Sequence, residues 1–91
     1  MRQALFPLGR MFITPRAIEI CKATNLAPDA LLLRHVRGDW SDMDEHDQVA
    51  NTVAIACGSR VFSAFQVDNH RLFVITESDR VSTTILLAEE Y

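Results

Sequence analysis

The chain has little from which to build a conventional catalytic site. Its 91 residues include only two cysteines, three glycines, three prolines, one lysine, one tryptophan and one tyrosine. Cys21 and Cys57 are the only cysteines, and free thiols are expected in preference to a single disulfide between them. Both fall on the expected apolar stripe of a helix, which predicts buried thiols. The glycines stand alone at positions 9, 38 and 58, so no glycine-rich loop cradles a phosphate. His35, His46, His70 and the cysteines show none of the two-to-four-residue pairings typical of zinc sites, and no metal or other cofactor is expected. Ser63, Ser78 and Ser82 lack the glycine-flanked turn of a nucleophile elbow. Cys57 falls near a helix C-terminus, where the dipole disfavours a thiolate. No catalytic residue is assigned, and the expected protein is not an enzyme.

Long apolar runs are absent too. No stretch approaches the ~18 residues of a membrane span, and no N-terminal run reads as a signal peptide. A cytoplasmic, bacterial-type protein with no membrane contact is expected. The net charge of −3 disfavours non-specific nucleic-acid binding, which depends on neutralising phosphates. Eight of the nine basic residues are Arg, the sole lysine being Lys22. That bias fits a high-GC genome, or a contact surface using planar, bidentate pairing.

What is present is ordinary for a globular chain: 48% apolar and 23% charged residues. A chain of this length makes one domain, residues 1–91. Pro7 keeps residues 5–9 out of helix, and residues 10–13 form a short strand. Thr14-Pro15 starts a helix that runs to about residue 24. Pro28-Asp29 opens a second, over 28–37, with Leu31, Leu32 and His35 or Val36 facing inward and Gly38 ending it. Ser41, with Asp44 three residues on, starts a third. Met43, Ala50, Val53, Ala54 and Cys57 recur there near the helical period, up to Gly58. Strands over 60–67, 71–76 and 82–87 follow, the first two joined by Asp68-Asn69-His70. The fold class is therefore α+β, in the order β-α-α-α-β-β-β. An antiparallel sheet, made of a C-terminal meander plus a short N-terminal strand, carries the helices on one face.

Two polar stretches are candidates for function. Gly38-Asp39-Trp40 places the only tryptophan in a tight interhelical break; the ring either seals the core or anchors an interface. Residues 76–80 carry Glu77, Asp79 and Arg80 between two strands. Glu77 and Asp79 either cap the loop and pair with Arg80, or act as paired carboxylates. Asp39, Trp40, Glu77, Asp79 and Arg80 form the expected binding surface, for a protein partner or for self-association. Ser82-Thr83-Thr84 suits a soluble edge strand or a docking edge for strand addition. The tail, residues 89–91, is expected to be solvated unless Tyr91 folds back onto the sheet.

Several of these segments, taken together, resemble a known family. Residues 5–10 (Leu-Phe-Pro-Leu-Gly-Arg), Thr14-Pro15, Arg34-His35, Gly38-Asp39-Trp40, 75–80, 82–87 and 89–91 are similar to small bacterial proteins often labelled "plasmid-related protein". These occur near mobile elements. The resemblance spans nearly the whole chain and implies an association with plasmid maintenance or with interference in host defence, but no defined activity. Ala88 departs from it, standing where proline is expected. The strand order also resembles, at fold level only, the RelE kind of messenger-RNA-cleaving toxin. That resemblance would place Arg60, His70, Arg71 and Arg80 on RNA, but such toxins are typically basic and this chain is not. An anti-defence inhibitor mimicking nucleic-acid charge through the acidic residues of 39–47 is a third reading.

Overall fold

Local chemistry sets the limits of each helix in the computed structural model, which describes residues 3–91. After strand β1 (Arg10–Ile13), helix α1 (Pro15–Ala23) begins with Pro15 at its first position, and the Thr14 hydroxyl accepts from the Ala17 N–H at 3.2 Å. Helix α2 (Pro28–Arg37) ends at Gly38, whose φ of 77° is the left-handed cap that glycine takes without a Cβ clash. Helix α3 (Glu45–Cys57) is capped by Asp44, which accepts from the Asp47 N–H at 2.8 Å. Asp44, not Ser41, is therefore the cap. The Ser41 hydroxyl is engaged instead with Asp39 and Arg34.

Strands β2 (Val61–Val67), β3 (His70–Thr76) and β4 (Ser82–Leu87) form the expected meander, followed by a single 3₁₀ turn at Ala88–Glu90. The two-residue link between β2 and β3 places Asp68 at φ 54°, a conformation Asp tolerates. The sheet order is β1-β4-β3-β2. β1 runs parallel to β4, so the sheet is mixed and not purely antiparallel. A parallel neighbour needs a long crossover, and the three helices and the β2–β3 hairpin lie between β1 and β4. β4 is thereby interior, which removes Ser82-Thr83-Thr84 from any edge. The edges are β1 and β2.

Alternation assigns the two faces of the sheet. Val61, Ser63, Phe65, Leu72, Val74, Thr76, Thr83, Ile85 and Leu87 are buried on one face with Ala17, Cys21, Leu31, Leu32 and Val36 of α1 and α2. Full burial of a side chain the size of Phe65 or Leu72 contributes roughly 2–3 kcal/mol. The other face carries Phe62, Phe73 and Ile75, and Tyr91 folds back across it. Tyr91 meets Phe62 and Phe73 edge-on, at centroid distances of 5.3 and 5.8 Å.

α3 flanks β2 and does not lie flat on the sheet. It buries Asn51 and Ala54, while Ala50, Val53 and Cys57 are exposed. The expectation of a buried apolar stripe through those three residues is corrected accordingly. Cys21 is buried as expected; Cys57 is not. Among the described residues no helix is long and apolar enough to cross a membrane.

Candidate functional site

The five residues expected to form a contact surface have local structural partners. Trp40 is only 5% exposed, and its indole N–H donates to the His35 carbonyl at 3.2 Å. The ring seals the end of the core, so it is not presented as an anchor. Asp39 accepts from Arg34 Nε at 3.2 Å, and Asp42 from Arg34 Nη1 at 3.3 Å. The same Asp42 oxygen receives the Gln66 N–H at 2.9 Å, and the Arg34 guanidinium lies over the Phe65 ring at 4.6 Å. Arg34 thus ties the interhelical break to the end of β2.

At the opposite end, Arg80 donates through Nη1 to the Ser59 carbonyl at 2.6 Å and through Nη2 to the Ala54 carbonyl at 3.3 Å. It thereby ties the loop to the end of α3, where the Ala54 carbonyl also accepts from the Ser59 N–H at 2.8 Å. Asp79 accepts from the Val81 N–H at 3.0 Å. Glu77 pairs with Arg60, and not with Arg80 as expected. Arg34 and Arg80 sit beyond opposite ends of the seven-residue β2, which at ~3.3 Å per residue spans roughly 20 Å. The two halves of the expected surface do not converge.

A buried polar chain crosses the core between them. Thr83 donates its single hydroxyl proton to the Leu8 carbonyl at 2.7 Å. Thr76, 2.6 Å away, must therefore donate to Thr83 and accept from His35 Nε2–H at 2.8 Å. Nδ1 is left as the acceptor for the Ser63 hydroxyl at 2.6 Å. The network selects one imidazole tautomer. It also keeps the ring neutral, because burial, followed by the positive charge of Arg80, pushes the His35 pKa down to about 3. Ser63 and His35 have the spacing of a nucleophile and its base. Both are fully buried, so no substrate reaches them. The chain clamps α2 to the sheet.

On the opposite face, Arg60 and Arg71 line one cleft of about 370 Å³ with Met43, Asn51, Phe62 and Phe73. His70 is not with them: it shares the strand face of Leu72 and Val74. Asp44, His46 and Asp47 approach one another in the first turn of α3, all exposed. Asp44 already serves there as the helix cap.

The two sheet edges differ sharply. Of the outward N–H groups of β2, those of Phe62 and Gln66 are taken by side chains, Asn51 at 3.0 Å and Asp42 at 2.9 Å, and Ala64 between them is buried. On β1, Arg10 and Thr14 donate inward to the Val81 and Ile85 carbonyls at 2.8 and 3.0 Å. Alternation therefore turns the N–H and C=O groups of Met11 and Ile13 outward. Among the described residues nothing bonds those amides. Met11 and Phe12 are 59% and 50% exposed, and Leu8, Leu32 and Leu33 lie next to Met11. Sequence reasoning identified β1 but not its position at an edge, since only the pairing register reveals that. Comparison with protein-family models, curated proteins and solved structures finds no match to this chain.

Proposed function

We propose that the chain is a non-enzymatic protein-interaction module whose docking element is the open edge of β1. The observation that carries this reading is the contrast between the edges. A short strand with unpaired amides, flanked by exposed Met11 and Phe12 and bearing no Lys, Glu, Asp or Pro, has none of the features that blunt an edge, apart from its shortness and Arg10. Strand addition there would draw affinity from main-chain bonds and specificity from the side chains at alternate positions. An association with mobile elements, implied by the family resemblance, belongs to this proposal.

The test is a pull-down from host extract with the tagged chain, its Met11→Pro variant and its Trp40→Phe variant. Met11→Pro deletes an outward N–H that the fold does not use. Loss of the prey with Met11→Pro alone, at an unchanged melting temperature, supports the reading. Equal capture by all three overturns it.

The toxin reading retains one supporting observation, the shared cleft of Arg60 and Arg71. Arg80 is committed to α3 and His70 shares the face of Leu72 and Val74, which weighs against it. Growth arrest on expression, relieved by Arg60→Ala or Arg71→Ala, would revive it. In the inhibitor reading the acidic residues of 39–47 should stay available to a basic enzyme, yet Asp39 and Asp42 pair with Arg34 and Asp44 caps α3.

A further inference from the structure

We infer that the occupant of the β1 edge is a second copy of this chain, joined antiparallel about a two-fold axis through Phe12. The inference rests on the docking reading above and names its partner. Its first support is register. A two-fold antiparallel strand pair can centre on a residue bonded inward and flanked on each side by residues whose amides face out, and in a short strand that register engages both outward residues. β1 has that layout, with Phe12 central and Met11 and Ile13 flanking it. Met11 then lies opposite Ile13 of the second copy, and each such pair exchanges two main-chain hydrogen bonds as a narrow antiparallel pair does. The two Phe12 rings meet across the axis, with Cβ atoms about 4.5–5.5 Å apart, in an aromatic cross-strand contact.

The second support is charge. The same register sets Arg10 opposite Thr14 of the second copy. The Thr14 hydroxyl donates to Glu90 Oε1 at 2.8 Å, and the Leu87 N–H donates to the same oxygen at 2.8 Å. Those two bonds hold the Glu90 carboxyl below the ordinary carboxylate range, so it is ionised. Arg10 has no acidic partner among the described residues and lies over the Phe12 ring at 5.8 Å. Arg10, Phe12 and Thr14 share one face of β1. Docking therefore brings each unpaired guanidinium to a fixed carboxylate, twice by symmetry, with only a threonine directly opposite it. A partner with an arbitrary edge strand offers no such anion at that place. The four-stranded sheets would join into one continuous sheet with β2 closing both ends.

The interface is short, so a dissociation constant on the order of 10 µM is expected. Sedimentation velocity of the full chain from about 1 µM to 1 mM, concentrations that bracket this value, should pass from monomer to dimer. Amide exchange read by NMR should then slow at Met11 and Ile13 with rising concentration, while the inward Phe12 amide stays protected throughout. Met11→Pro should weaken the dimer by more than about 100-fold. Arg10→Glu, which leaves the main chain intact, should weaken it by at least about tenfold by facing Glu90 with a like charge. A monomer over the whole range overturns the inference, and so does a dimer in which Met11 and Ile13 exchange at unchanged rates. If the chain stays monomeric but still captures another protein in a Met11-dependent manner, the second copy is excluded and the docking reading stands. If neither occurs, both fail.

Discussion

The two edges of the sheet meet the same problem, a row of exposed amides, in opposite ways. β2 is flanked by α3 and the segment before it, and Asn51 and Asp42 bond its Phe62 and Gln66 N–H groups. Among the described residues nothing guards β1, which exposes Met11 and Phe12 beside its open amides. Capping one edge with a buried asparagine while no described residue covers the other concentrates the capacity for pairing at β1. The difference also explains why the polar stretches most conspicuous in the sequence are not the site. Asp39, Arg80 and their neighbours are consumed in holding α2, α3 and the ends of β2 together.

Four measurements test this contrast. The largest effect concerns the interior that both edges share. His35 binds a proton with a pKa near 6.5 in the unfolded chain but only near 3 in the fold. The unfolded state therefore holds more protons between those values, and stability rises with pH across that window. His35's contribution is complete above pH 6.5 and is lost as pH falls toward 3, by up to about 5 kcal/mol. Urea titrations at stepped pH should show this slope in the parent and not in a His35→Asn variant. Amides of β2 and β3 should lose protection together, whereas the outward β1 amides have none to lose.

Next in size is Gly9→Ala, at the entry to β1. Gly9 has φ 66°, and a Cβ there would run into the Val81 carbonyl, the group that pairs with Arg10. A loss of about 3 kcal/mol or more is expected in thermal or denaturant unfolding. Asn51→Leu should cost about 1–2 kcal/mol by stranding the part-buried Phe62 N–H. It should also open the β2 edge, so concentration-dependent association beyond a dimer is the expected second readout. If Asn51→Leu leaves both stability and association unchanged, the guarded-edge account is wrong. The smallest effect is Met11→Lys, whose side chain is exposed. The melting temperature should shift by no more than a few degrees, equivalent to about 0.5 kcal/mol, while association at the β1 edge falls.

Much of the fold was legible because its signals are local. Thr14-Pro15, Pro28 and Gly38 mark helix boundaries by backbone chemistry that acts within a few residues, and the β2–β3 turn at Asp68 is of the same kind. Where two good caps stood three residues apart, Ser41 and Asp44, the choice depended on Arg34 and Asp39 occupying the serine hydroxyl. The stripe of α3 was misjudged because periodicity assumes a helix laid flat on a core. A helix guarding a strand edge buries a polar residue, Asn51, in place of Val53 and Cys57. Trp40 carried no signal of its own, since an indole in a polar break serves equally as plug or anchor until the surrounding packing is known.

Local patterning set which segments are helices and strands, and their order, because capping, turn geometry and alternation are short-range. Long-range packing made β1 pair parallel with β4 and so become an edge. It also brought Ser63, His35, Thr76 and Thr83 into one buried chain and left Met11 and Ile13 facing outward. Those outcomes depend on contacts between residues tens of positions apart, whose closure is settled by the packing of the whole core and leaves no local mark.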